Sequence, residues 1–174
     1  MITDLVLLHM VLSQRVNNER VMQIINTGDI LKCVTANAII CHGTNCKGLM
    51  GKGIALSIKQ KYPLAFEKYR QAYETSGLIL GKITEAWYSE QSLLILNLNT
   101  QYDYYRYGNN KVSRYVNYDA VRNCFKQVSE ISKKTKLPIH YPKIGAGLGG
   151  GDWNVISNII CEELKDHEHN LWVL

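Results

Sequence analysis

Cys41-His42-Gly43-Thr44-Asn45-Cys46-Lys47-Gly48-Leu49-Met50-Gly51-Lys52-Gly53-Ile54-Ala55 is the stretch on which the fold turns. A mostly apolar run, Ala36 to Ile40, leads into it, and Ile54, Leu56 and Ile58 continue beyond it at helical spacing toward Pro63. These spacings predict a strand, a glycine loop and a helix, in that order. Glycines let the backbone adopt positive φ and approach a ligand closely, and loop amides backed by a helix N-terminus attract an anion. The stretch reads as a loop built for phosphate, with His42 and Asn45 expected at its mouth.

Upstream, Val21 to Ile25 has strand composition, Asn26-Thr27-Gly28-Asp29 reads as a turn, and Cys33 to Ile40 is expected to form the buried strand feeding the loop. Downstream, the helix after the loop is expected to reach Tyr62. Pro63 breaks it and can begin another at N1, carrying Leu64, Phe66, Tyr69, Ala72 and Tyr73 to a stop at Gly77. Lys82–Tyr88 and Ser92–Leu98, close together around Glu90, suggest an antiparallel hairpin. The polar, aromatic stretch Asn99–Tyr115, with Tyr102, Tyr104, Tyr105, Tyr107, Arg106 and Arg114, has the character of a long surface loop. Helical spacing returns over Tyr118–Lys134 and Trp153–Leu164, with strands at Leu137–Tyr141 and Leu171–Leu174. Strands alternating with helices predict an α/β fold, a three-layer α/β/α sandwich around a mixed central sheet.

The 174 residues, 46% apolar and 20% charged, fit one domain. The net charge of +5 favours anionic ligands without marking a dedicated nucleic-acid binder. Five cysteines with no CxxC pair suggest reduced thiols and a cytoplasmic setting, and no disulfide, metal or cofactor is assigned. The apolar run Leu5–Leu12 is far shorter than the ~18 residues of a membrane span. Residues 1–21 are expected to be an N-terminal extension, with the domain proper over 22–174; unfolding on their deletion would refute this.

A second glycine loop, Gly145-Ala146-Gly147-Leu148-Gly149-Gly150, satisfies GxGxxG between a predicted strand and helix. It lies too near the chain's end for the dinucleotide fingerprint, which opens the first βαβ unit and expects an acid about 20 residues on. The first loop fails as a Walker A motif, because Gly53 stands where Ser or Thr is required. Two phosphate-type loops remain, each after a strand, and in an open α/β sheet they can enclose one pyrophosphate.

Three motifs in order, Asn26-Thr27-Gly28-Asp29-Ile30, His42 to Ala55, and Pro142 to Trp153, give the chain from about Met22 onward a clear resemblance to the macrodomain family, the ADP-ribose-binding α/β module. It is most similar to the ADP-ribose-1''-phosphate phosphatase branch. The resemblance implies an adenine contact at Asp29, beside Ile30, and a distal-ribose contact at Asn45. It implies pyrophosphate held by Gly51, Lys52, Gly53, Ile54 and Ala55 and by Gly145, Ala146, Gly147, Leu148 and Gly149. In the ADP-ribosylglycohydrolase branch a lysine follows the strand that here ends in Asn99-Thr100-Gln101, and Gln101 stands in its place. A neutral amide cannot do the work of that amine.

Phosphomonoester hydrolysis needs proton transfer and donors for the transferring group. His42 is the expected acid or nucleophile and Asp152 the expected base or its orienter, with Asn45 beside them. Histidine titrates near neutrality and a carboxylate would raise its pKa. Each also has a simpler reading: a loop histidine bonded to backbone, and for Asp152 and Asp29 a helix cap. The expected partner is ADP-ribose or ADP-ribose-1''-phosphate, free or as ADP-ribose on a macromolecule, with no membrane and no dedicated nucleic-acid site. Removal of ADP-ribose from protein or nucleic acid, and non-catalytic reading of ADP-ribose, are the alternatives.

Overall fold

The protein is described by a computed structural model covering residues 22–103 and 114–174; the expected extension over 1–21 and Tyr104, Tyr105, Arg106 and Tyr107 lie outside the described residues. The elements run β1 (Met22–Thr27), α1 (Ile30–Cys33), β2 (Ala38–Asn45), α2 (Gly53–Lys61), α3 (Pro63–Ser76), β3 (Ile83–Tyr88), β4 (Leu93–Gln101), α4 (Tyr118–Thr135), β5 (Ile139–Pro142), α5 (Trp153–Glu163) and β6 (Glu168–Val173). They form one six-stranded sheet in the order β1-β6-β5-β2-β4-β3. Among the strand pairs of this sheet in the described residues, β3–β4 alone is antiparallel, as the close spacing of those two runs predicts.

Both faces of the sheet are covered, which is why the central strands β2 and β4 are buried almost throughout. On one face, Ile39, Cys41, Leu96 and Tyr141 pack against Phe125 and Val128 of α4 and Ile156 and Ile160 of α5. On the other, Ile40 and Ile95 meet Ile30 and Leu31 of α1, Ile58 of α2 and Ala65 of α3. The three-layer sandwich is therefore present. Among the described residues no helix is long and apolar enough to cross a membrane.

One boundary moves in a way that matters. Cys33 to Ile40 is not the strand: Asp29 accepts a hydrogen bond from the Leu31 amide and caps a short helix over 30–33, Asn37 turns the chain at φ 50°, and the strand runs from Ala38 to Asn45. His42 and Gly43 are thus strand residues rather than loop. Gly43 fits because a Cβ there would stand 3.0 Å from both Ile144 Cγ2 and Thr100 Oγ1. Gly43→Ala is expected to destabilise by about 1–2 kcal/mol through this overpacking; an unchanged melting temperature would count against it. Likewise β4 extends to Gln101, taking Asn99, Thr100 and Gln101 from the expected loop.

Candidate functional site

β2 and β5 are neighbours in the sheet, yet the chain leaves β2 for α2 on one face and leaves β5 for α5 on the other. Such a reversal opens a crevice beyond the carboxyl ends of the strands. The two glycine loops border it. One cavity, of about 270 Å³, is lined by Asn45, Gly51–Ala55, Gln101, Lys143 and the 145–149 loop. A second, of about 340 Å³, is lined by Asp29, Ile30, Leu31, Ser57 and Trp172. The two share Gly53, Ile54 and Pro142, so they are lobes of one elongated cleft.

The helix termini around this cleft are not equivalent. Asp29 caps α1, and Asp152 caps α5 by accepting from the Asn154 amide at 2.8 Å. α2 has no side-chain cap: its N-cap is Lys52, and its first residues, Gly53, Ile54 and Ala55, line the cleft. The amides of a first turn without a side-chain cap carry the positive end of the helix dipole, so this terminus turns positive potential toward the cleft. Across from it, Gly145 takes φ 75° and the Gly151 amide donates to the Gly145 carbonyl at 2.9 Å, tying the second loop into a compact arch. Gly147 and Leu148 face the cleft; Ala146 sits in the arch but does not line it.

Asn45 closes the end away from Asp29. It is 5% exposed, and its side chain organises the turn after β2. Oδ1 accepts from the Lys47 amide at 2.8 Å, and Nδ2 donates to the Leu49 carbonyl at 2.6 Å. Gln101 lies nearby, its Nε2 donating to the Asp103 carbonyl at 2.8 Å.

The expected acid–base pair is not assembled. His42 is on β2, 0% exposed, and its Nε2 lies 2.7 Å from Asn97 Oδ1 on the face covered by α3. Asn97 Nδ2 donates to the Ala65 carbonyl and to Thr84 Oγ1, so its Oδ1 is the accepting end and His42 Nε2 carries the proton. Burial holds the His42 pKa down to about 4 despite this bond. The reason is the strand boundary: as part of β2 rather than of a loop, residue 42 points into the layer between sheet and α3. Asp152 in turn is spent on α5, and neither side chain lines the cleft.

The buried histidines carry a pH consequence. His169, whose Nδ1 lies 2.6 Å from the Tyr141 hydroxyl, is also held down to about 4, by burial and then by His167. Unfolded histidine titrates near 6.5, so between pH 6.5 and 4 the unfolded chain binds protons that the folded one refuses, and stability falls as pH drops through that window. Each site removes on the order of 3 kcal/mol by pH 4. Chemical denaturation at pH 7, 5.5 and 4.5 is expected to show this progressive loss; a flat profile would contradict it.

The sequence did not single out the polar row beneath α3: Asn97, Thr84, and Asn99, which accepts from Thr44 Oγ1 at 2.9 Å. Its signal was present as Leu96-Asn97-Leu98-Asn99, amides at every second position of an apolar strand. Among the described residues no cluster of three or more His, Cys, Asp or Glu is placed to hold a metal ion.

Comparison with known proteins agrees with this architecture. The family described as Macro domain matches residues 41–160. An uncharacterised 17.5 kDa protein of Enterobacteria phage T4 is 30% identical over 138 residues, covering 76% of this chain and 84% of that protein. A DNA ADP-ribosyl glycohydrolase of Mycobacterium tuberculosis is 28% identical over 129 residues, 73% of this chain but only 34% of the enzyme. An ADP-ribose 1''-phosphate phosphatase of Aspergillus clavatus is 49% identical over 43 residues, 25% of this chain and 21% of that one. Among solved structures, a protein of unknown function from Bacteroides thetaiotaomicron superposes with TM-score 0.78 at 31% identity, covering 87% of this chain and 98% of that one. The macrodomain of Mycobacterium tuberculosis DarG superposes with TM-score 0.73 at 21% identity, covering 88% and 98%.

Proposed function

The chain belongs to the macrodomain family, and on that premise we propose that its cleft binds ADP-ribose and that the protein hydrolyses ADP-ribose-1''-phosphate to ADP-ribose and phosphate. The observation that carries the reading is the uncapped N-terminus of α2 facing the 145–149 arch across one elongated cleft. In this reading the adenosine lies in the lobe of Asp29 and Ile30. The pyrophosphate lies between the amides of Gly51, Lys52, Gly53, Ile54 and Ala55 and those of Gly145, Ala146, Gly147, Leu148 and Gly149. The distal ribose meets Asn45.

Within the described lining of the distal lobe the charged side chains are Lys52 and Lys143, both cations, which suits a ligand bearing a third phosphate. Hydrolysis adds water across the phosphoester and releases orthophosphate, with amides and cations stabilising the transferring group's charge. The short phosphatase match, 49% identical over 43 residues, supports this chemistry. The longer glycohydrolase match, 129 residues, favours a second reading in which ADP-ribose is removed from a macromolecule.

Phosphorus NMR with ADP-ribose-1''-phosphate tests both. Orthophosphate accumulating with enzyme is the expected result. Pyrophosphate resonances that broaden with no orthophosphate would overturn the phosphatase and leave ADP-ribose binding; release of ADP-ribose from an ADP-ribosylated oligonucleotide would then establish the second reading.

A further inference from the structure

Asn45 has little left with which to touch a ligand. Its Oδ1 accepts from the Lys47 amide at 2.8 Å, and the Leu49 amide lies 3.4 Å away; one Nδ2 hydrogen goes to the Leu49 carbonyl at 2.6 Å. What remains is the second Nδ2 hydrogen, a single donor on a side chain that borders the cleft. A terminal amide turns easily about its last bond, so one donor is useful only if the plane of the amide is fixed.

The two turn bonds set that plane, and α3 adds a restraint from outside the turn. The hydroxyl of Tyr69, a side chain with 0% exposure, stands 2.6 Å from the Asn45 carbonyl oxygen and 3.0 Å from Asn45 Oδ1. Its one proton is shared between the backbone and side-chain oxygens of the same residue, locking the side-chain plane to the backbone. Burial raises the hydroxyl's pKa, so it remains a donor throughout the neutral range. The ring is held within the fold, and Tyr69 does not line the cleft.

We propose that Tyr69 is a positioning residue that acts through Asn45, holding its free Nδ2 hydrogen toward the far end of the cleft and so setting preference for ligands that continue beyond the diphosphate. The proposal rests on the ADP-ribose reading above. It assigns Tyr69 to ligand selectivity, and it predicts that the two residues act as one unit.

Calorimetric titration of the protein with ADP-ribose and with ADP, which lacks the distal ribose, separates this role from a general structural one. Wild type is expected to prefer ADP-ribose. Tyr69→Phe, which removes one oxygen, is expected to weaken ADP-ribose about tenfold, the loss of roughly one hydrogen bond, while ADP changes less than about twofold. Asn45→Ala should show the same pattern, and the double variant should lose no more than either single one. Equal weakening of both ligands, no weakening of either, or additive losses would overturn the proposal. A wild type that binds ADP and ADP-ribose equally would remove the distal-ribose subsite itself, a failure visible before any variant is made. Should Tyr69→Phe not fold, proton NMR of the wild type serves instead: the buried Tyr69 hydroxyl proton and the Asn45 side-chain amide protons are expected to shift together with ADP-ribose and not with ADP, and Asn45 protons that shift while the Tyr69 hydroxyl does not, or a shift of neither, would overturn the assignment.

Discussion

Gly149→Ala is expected to abolish most ADP-ribose binding while the protein still folds. A Cβ at residue 149 would lie 2.7 Å from the Gly145 carbonyl oxygen and 2.7 Å from Gln101 Oε1. The first of these is backbone and cannot rotate away, so the arch itself must move. Gly149 also accepts, through its carbonyl, the amides of Tyr115 at 2.9 Å and Val116 at 3.0 Å, so displacement would pull on the segment leading into α4. Opening the arch separates the second loop's amides from the α2 terminus, and a phosphate cannot satisfy both. We expect affinity to fall at least about tenfold, with a stability loss of about 1–3 kcal/mol from the forced contacts. Calorimetry with ADP-ribose, beside a thermal melt, reads both. Affinity within about twofold of wild type would mean that this arch does not hold the pyrophosphate.

The largest effect on stability is expected at Asn97. Its Oδ1 satisfies His42 Nε2, and its amide serves the Ala65 carbonyl at 2.9 Å and Thr84 Oγ1 at 2.9 Å, all in the layer between the sheet and α3. Asn97→Leu keeps the branched outline, adds methyl bulk and removes all three bonds. His42 already has Nδ1 without a partner, so the variant would leave a buried imidazole with neither nitrogen bonded. Each orphaned buried group costs about 1–3 kcal/mol, which sets the expected loss at roughly 3–5 kcal/mol and about 10 °C or more in melting temperature. Differential scanning calorimetry measures this directly. A loss below about 1 kcal/mol would show that the polar row is not a structural element.

The fold was legible because its signals are local and repeated. The second glycine loop, Pro63 at the start of α3, Gly77 at its end and the closely spaced β3 and β4 runs each constrain the backbone on their own, and each lies where the sequence predicts, whereas the first glycine loop begins only after Asn45. Strand limits were less legible. Cys33 to Ile40 is apolar enough to pass for a strand, and only the Asp29 cap with the positive φ of Asn37 shifts β2 forward to Ala38–Asn45.

The candidate site divides in the same way. Residue type and spacing alone picked out both glycine loops, which border the cleft, because glycine is the residue that exposes backbone amides. Which side chains face the cleft was decided by the tertiary structure. A strand sends successive side chains to opposite faces, so a boundary moved past His42 buries that histidine under α3, while the helix that begins at Trp153 recruits Asp152 as its cap. Tyr69, 24 residues from Asn45 in sequence and 2.6 Å from it in space, shows the same limit from the other side. Local sequence encodes what the backbone can do, and packing between distant segments determines which polar atoms are left to meet a ligand.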